Sequence, residues 1–291
     1  MSILNEIKQQ YRMGGVTEKL IYLNVFLFAI PWVLTGILFL FGIKFNFTQF
    51  ISLSSTPADL LWKPWSVLSY AFFHADIFHI LFNLIIFNFA GRLFLTFFTQ
   101  KQLLSLYLMG AIFSGLIFVI SYLIFPALIN QNATLIGASG AIMAVLFATT
   151  TYAPYMQIRL LLIGTVKLWH IALFYLVIDL ISLSFSNVGG HIAHLGGALF
   201  GYLYSSQLKK GTDITKSFTS FVDGLVNLFK GRKSTPFKKV HKNSTYSKPK
   251  PVAKDKTQQQ IDDILDKISK SGYESLTKEE KEFLFKAGNN N

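Results

Sequence analysis

Long apolar stretches separated by short polar breaks run through most of the chain, and their lengths predict its elements. Residues 21–43, 76–98, 103–125, 160–183 and 190–208 each read as a helix able to span, since about 20 apolar residues cross a hydrocarbon core about 30 Å thick. Pro31 would kink the first without forbidding it. The stretch from Gly137 to Ala153-Pro154 is different: it has room for a helix of only about 14 residues, about 21 Å, too short to cross alone. The pattern therefore predicts an all-α membrane protein of six helices, the fourth short and starting inside the membrane. Residues 132–137 must dip in as irregular backbone, which is tolerated only beside protein or a wet cavity. Residues 44–65 form a long outer loop, with Trp62 and Trp65 suited to the headgroup level.

Composition agrees with that class. Of 291 residues 52% are hydrophobic and only 14% charged. Between Ile21 and Ser206 the cations are Lys44, Lys63, Arg92, Lys101, Arg159 and Lys167, and the acids Asp59, Asp76 and Asp179. Most of the net charge of +12 thus falls outside the apolar body, chiefly after Gln207. Six spans put both termini on one side, and the cation count makes that side cytoplasmic, with Lys44 and Lys63 as outer-loop exceptions. No nucleic-acid reader motif accompanies the charge. Cysteine is absent, which excludes disulfides and Cys-bearing metal sites.

Four segments follow. Residues 1–20, with Lys8, Arg12 and Lys19 against Glu6 and Glu18, read as a retained interfacial segment and not a signal peptide. Residues 21–210 form the helical bundle. Residues 211–256 combine an amphipathic stretch, Phe218, Phe221, Val222, Leu225 and Phe229, with a Lys-, Ser- and Pro-rich linker expected to be disordered. Residues 257–291 read as a small helical hairpin with an unknown docking partner; Thr277 and Glu280 have capping-box spacing.

Ser139 lies in Gly137-Ala-Ser-Gly140-Ala, at the buried first turn of the short helix, where free N–H groups and the helix dipole favour a developing oxyanion. On its own a serine among small residues is a common helix contact. His194 sits about 15 residues, roughly 22 Å, before the Lys209-Lys210 pair expected at the inner surface, which gives it the same depth as Ser139. Gly197 and Gly201 form a G-x-x-x-G pair on about the same face, permitting a crossing tight enough to bring the imidazole within hydrogen-bonding range of the hydroxyl. His79 and Asn83, four apart, face one way on the second helix as structural links or oxyanion donors. His191-x-x-His194 suggests a metal pair, but no carboxylate stands nearby in sequence and His-Glu-x-x-His is absent, so no metal is expected. Asp179, the one acid well inside a span, reads as structurally paired, with the third place in a triad as the alternative. His170 and His74 read as anchor or packing residues.

Taken together, His79-x-x-x-Asn83, Gly137-Ala-Ser139-Gly140-Ala and Ala193-His194-x-x-Gly197-x-x-x-Gly201 resemble the signature of the rhomboid family of intramembrane serine proteases, in matching order over residues 65–204. The resemblance implies a six-helix rhomboid bundle and a Ser-His dyad without a catalytic acid: Ser139 as nucleophile, His194 as general base, His79, Asn83 and the Ser139 N–H as the oxyanion hole. Gly137 would open the loop leading to the serine. The implied substrates are other transmembrane proteins, cleaved in or near their spans, with no cofactor and no nucleic acid. Bacterial inner membrane is the implied setting. One departure is Trp62-Lys63-Pro64-Trp65, where some members carry Trp-Arg. The rival expectation is a non-proteolytic rhomboid-like protein that binds or escorts membrane helices through the same cavity; a transporter is disfavoured by the lack of an inverted repeat.

Overall fold

The computed structural model describes residues 3–161, 163–185, 187–229 and 256–288. They divide into two compact units, one within residues 1–231 and the other within residues 232–291. The first opens with α1 (Ile3–Met13) and α2 (Val16–Leu40). Glu18 caps α2 by accepting from the Gly15 N–H at 2.9 Å. Only Thr17, Leu20 and Asn24 of α2 are fully buried; Val16 and Ile21 pack half-buried on the core, while Phe26, Val33, Phe39 and Leu40 are exposed, as on a lipid-facing helix.

The segment between α2 and the next long helix is more ordered than its sequence suggests. It holds α3 (Thr48–Ile51), β1 (Leu53–Ser54), α4 (Asp59–Trp62) and α5 (Ser66–Ser69), then a 3-10 turn at Tyr70–Phe72. Where the Trp-Arg pair would stand, Lys63 Nζ donates to the Gln49 carbonyl at 3.1 Å and Trp65 Nε1 to that of Phe50 at 2.7 Å. Next come α6 (Ile77–Phe94), capped by Asp76, and α7 (Gln100–Ile124), opened by a Thr99–Gln102 capping box.

β2 (Thr134–Leu135) pairs antiparallel with β1, with Leu53 opposite Leu135 and Ser54 opposite Thr134. The irregular segment before the short helix is therefore stitched to the loop that carries β1. Buried backbone needs bonding partners, and here a strand pair supplies them. Gly137 N–H adds a bond to the Tyr70 carbonyl at 2.9 Å. These bonds fix where α8 (Ser139–Tyr152) begins, at the serine the short-helix reading expected.

α8 is the centre of the unit. Its buried positions, Gly140 to Leu146 and Ala148 to Thr150, run around the whole helix, so it is surrounded by α6, α7 and the two helices that follow. The span expected over 160–183 needs correction. Gln157–Leu160 (β3) and Gly164–Lys167 (β4) pair as an antiparallel hairpin, and α9 covers only Leu168–Ser182. Arg159, Gly164 and Lys167 interrupt the apolar run, and Gly164 takes a φ of +86° that turns the chain. Among the described residues the fold is thus helical with two small two-stranded sheets, not purely α.

α10 (Val188–Lys209) packs most extensively on α8. A Cβ on Gly197 would lie 2.0 Å from the Gly140 carbonyl oxygen, and one on Gly201 would lie 2.2 Å from that of Ala144. The two backbones touch, so the G-x-x-x-G crossing is as tight as its spacing predicts, and neither glycine can gain a methyl without parting the helices. α11 (Lys216–Phe229) docks back on the start of α7 through Lys101–Asp223 at 2.7 Å and a Ser105–Thr219 hydroxyl pair at 2.7 Å.

Among the described residues α2, α6 and α7 are long and apolar enough to cross a membrane; α8 and α9 are apolar but shorter. α10 has 22 residues, but its histidines, glycines and Lys209 lower its hydropathy. The protein is an integral membrane protein with several apolar helices.

The second unit comprises α12 (Lys256–Ser271), a 3-10 turn at Tyr273–Ser275 and α13 (Lys278–Gly288). Thr277 and Glu280 form the expected capping box, and Lys267 Nζ bonds Glu280 at 2.9 Å, holding that carboxyl below the usual carboxylate range. The linker expected to be disordered, residues 233–256, lies outside the described residues except for Lys256, which is the first residue of α12.

Candidate active site

A cavity of about 620 Å³ opens among α6, α8, α9, α10 and β2. Asp76, His79, Asn83, Ser139, Asp179, His191 and His194 line it together with apolar side chains such as Phe82, Met143 and Tyr175. Ser139 and His194 therefore face one space. Among the described residues, however, no hydrogen bond joins them, so the contact expected from the glycine crossing is not closed. Such bonds are often long or misaligned without substrate.

Ser139 is the first residue of α8, following Ala138 as N-cap. The first bond of this helix runs from Ile142 N–H to the Ala138 carbonyl, so the N–H groups of Ser139, Gly140 and Ala141 are left by the helix for another acceptor.

On α6, His79 Nδ1 accepts from the Ala75 N–H at 3.4 Å. A ring nitrogen that accepts carries no proton, which puts the proton of the neutral ring on Nε2. Gly137 lies directly before that nitrogen: a Cβ there would be 2.7 Å from His79 Nε2 and 3.9 Å from Ser139 Oγ. Its φ of +128° also demands glycine. Glycine at 137 thus keeps clear the gap between a ring N–H donor and the serine hydroxyl.

His79 is braced from behind by His74, whose ring meets it edge-on at 5.1 Å. His74 is fully buried, and that burial pushes its pKa down to about 3, so it packs as a neutral ring, in line with its reading as a packing residue.

Asn83, one turn along α6, uses one amide hydrogen on the His79 carbonyl at 2.8 Å. The second hydrogen remains for a ligand in the cavity. If Asn83 donates to an oxyanion, Asn83→Ala should lower kcat by about 10² to 10³-fold, by analogy with other such donors. A variant turning over a transmembrane reporter at full rate would remove Asn83 from this role.

A third group lies behind His194. Asp179 Oδ1 sits 2.8 Å from His194 Nδ1 and equally 2.8 Å from His191 Nδ1. Asp179 is buried on α9, and the partner it takes is the candidate base, the arrangement named from the sequence as the alternative to a purely structural pairing. An ionised carboxylate only accepts, so each imidazole offers Nδ1–H and keeps its lone pair on Nε2. That tautomer leaves His194 able to take a proton from the cavity side. The lone signal in the sequence was an acid inside a span. His191 was set aside for want of a nearby carboxylate, and the fold supplies one across twelve residues of chain.

Residues 61–210, just over half of the chain, match the Rhomboid domain family. The chain belongs to the rhomboid family. Every motif residue from His79 to Gly201 falls inside the matched region of this rhomboid protein. Residues 251–286 match a family of unknown function, DUF6576, which takes in most of the second unit. Among curated proteins the chain is similar to presenilin-associated rhomboid-like protein A, mitochondrial, of Danio rerio, at 29% identity over 138 residues. That stretch is 46% of this chain and 35% of the relative, so the chain spans about a third of the relative's length.

Proposed function

We propose that this rhomboid protein is an intramembrane serine endopeptidase that hydrolyses peptide bonds in or near the transmembrane segments of other membrane proteins. The observation carrying this reading is that Ser139, His194, His79 and Asn83 line one cavity beside the free N-terminal N–H groups of α8. Ser139 Oγ attacks the scissile carbonyl while His194 Nε2 takes its proton. His79 Nε2–H, the free Asn83 hydrogen and the Ser139 N–H hold the oxyanion. The His194 proton then goes to the leaving amine, and water activated by the same base releases the acyl group. No cofactor enters this scheme. In the proposed topology six helices cross the membrane with both termini cytoplasmic, as in a bacterial inner membrane, and the cavity opens toward the far face.

The open Ser139–His194 contact is the one observation favouring a non-proteolytic protein that binds membrane helices in the same cavity. Labelling with a fluorophosphonate separates the two, because it requires an activated serine. The native chain is expected to label, and Ser139→Ala and His194→Ala to lose the label. An unlabelled native chain, or label that persists in Ser139→Ala, would overturn the protease reading.

A further inference from the structure

Asp179, His191 and His194 bring three metal-ligating side chains together at one wall of the cavity, on two helices. One ligand atom from each lies within 4.8 Å of the others. The carboxylate is buried, with its side chain 6% exposed, while the two imidazoles are about a fifth exposed at 19% and 21%. An ion could therefore enter from the wet side and be shielded once bound. We propose that these residues form a Zn²⁺ site whose occupancy removes His194 as a base.

The donor set suits the ion. Two imidazoles and one carboxylate, with a fourth position left for water, are a nitrogen-rich group that favours zinc over the oxygen-seeking Mg²⁺ and Ca²⁺. Zinc holds nitrogen and oxygen at about 2.0 to 2.2 Å, which sets tetrahedral donors about 3.3 to 3.6 Å from one another, so the two oxygen–nitrogen pairs now at 2.8 Å need only open by less than about 1 Å to admit the ion. The two histidines are one turn apart on α10, and α10 is pinned to α8 at Gly197, which keeps both rings directed at Asp179.

Binding would act through the tautomer. In the metal-free chain Asp179 accepts Nδ1–H from both rings, and His194 Nε2 carries the lone pair. An ion on Nδ1 displaces the proton held there and binds the lone pair this frees, and the ring takes up a proton from solvent on Nε2 in exchange. Each neutral ring carries one N–H before and after, and the proton count balances. His194 Nε2 then donates and cannot accept the proton of Ser139. The switching consequence rests on the protease reading; the binding does not.

Binding is therefore tested on the full-length Ser139→Ala chain, stripped with a chelator and dialysed against Zn²⁺. The expected result is saturable binding, with Co²⁺ giving the visible bands of a tetrahedral site and Zn²⁺ displacing them. His191→Asn should weaken affinity by at least about tenfold, since even outer-shell partners are worth 10 to 100-fold. In the cleavage-competent chain, Zn²⁺ should stop proteolysis and chelator restore it. His191→Asn should need at least about tenfold more Zn²⁺ for half-inhibition of its own metal-free rate. No saturable binding by Ser139→Ala, or affinity unchanged in His191→Asn, overturns the site; binding without inhibition overturns the switch. The Co²⁺ spectrum of Ser139→Ala decides the matter without altering the cluster, should His191→Asn not fold. A chain that binds Zn²⁺ yet cleaves nothing when metal-free keeps the site and overturns the protease reading.

Discussion

Ser139→Ala is expected to abolish cleavage of a transmembrane reporter, by at least about 10⁴-fold in kcat, while the protein inserts and melts as before. The size follows from chemistry: without a nucleophile only the oxyanion donors and substrate binding remain. Structural innocence follows from the site. Among the described residues Ser139 Oγ makes no hydrogen bond, so its removal orphans nothing. Alanine is the best helix former, and it stands at the first position of a helix whose neighbours Ala141 and Ala144 are already small. Thermal unfolding of the two proteins and reporter cleavage under substrate saturation check both halves. A variant within tenfold of the native rate would make the serine a packing residue.

Much of this site is legible in the sequence because each part rides on a local pattern. The half-length helix announces that its first residue is submerged, and the distance from His194 to Lys209 sets the second depth independently. His79 and Asn83 share a face by helical spacing alone. What links Asp179 to His191 and His194 is of another kind. It depends on the rotational phase of α9 against α10, and each residue of uncertainty in a helix boundary turns a side chain by about 100°. With α9 beginning at Leu168 and not near 160, that phase could not be read from the chain. The β1–β2 pairing was equally hidden, since two-residue strands are too short to show an alternating pattern. The β3–β4 hairpin was hidden for the opposite reason: its apolar residues run on toward those of α9 and look like more helix.

The aspartate also sets apart two accounts of the base. If His194 works without an acid, as the family resemblance implies, Asp179→Asn should leave kcat within about tenfold of native. If the carboxylate holds the ring, Asp179→Asn is expected to lower kcat by about 10³ to 10⁴-fold with KM little changed, the magnitude seen when the acid of a serine-protease triad becomes an amide. Asparagine has nearly the same shape but neutral chemistry. Its NH₂ can only donate, which draws the lone pair of His194 to Nδ1 and leaves the proton on Nε2, facing Ser139. Its carbonyl oxygen is a weaker acceptor, and both His191 and His194 now compete for it. The imidazolium that forms as Ser139 attacks also loses its counter-charge in a buried setting, where that charge counts most. A purely structural aspartate would behave differently: it would lower the folded fraction, while the rate per folded molecule stayed native. Turnover divided by the amount of folded protein, measured by thermal unfolding, therefore distinguishes a positioning role for Asp179 from a scaffold one.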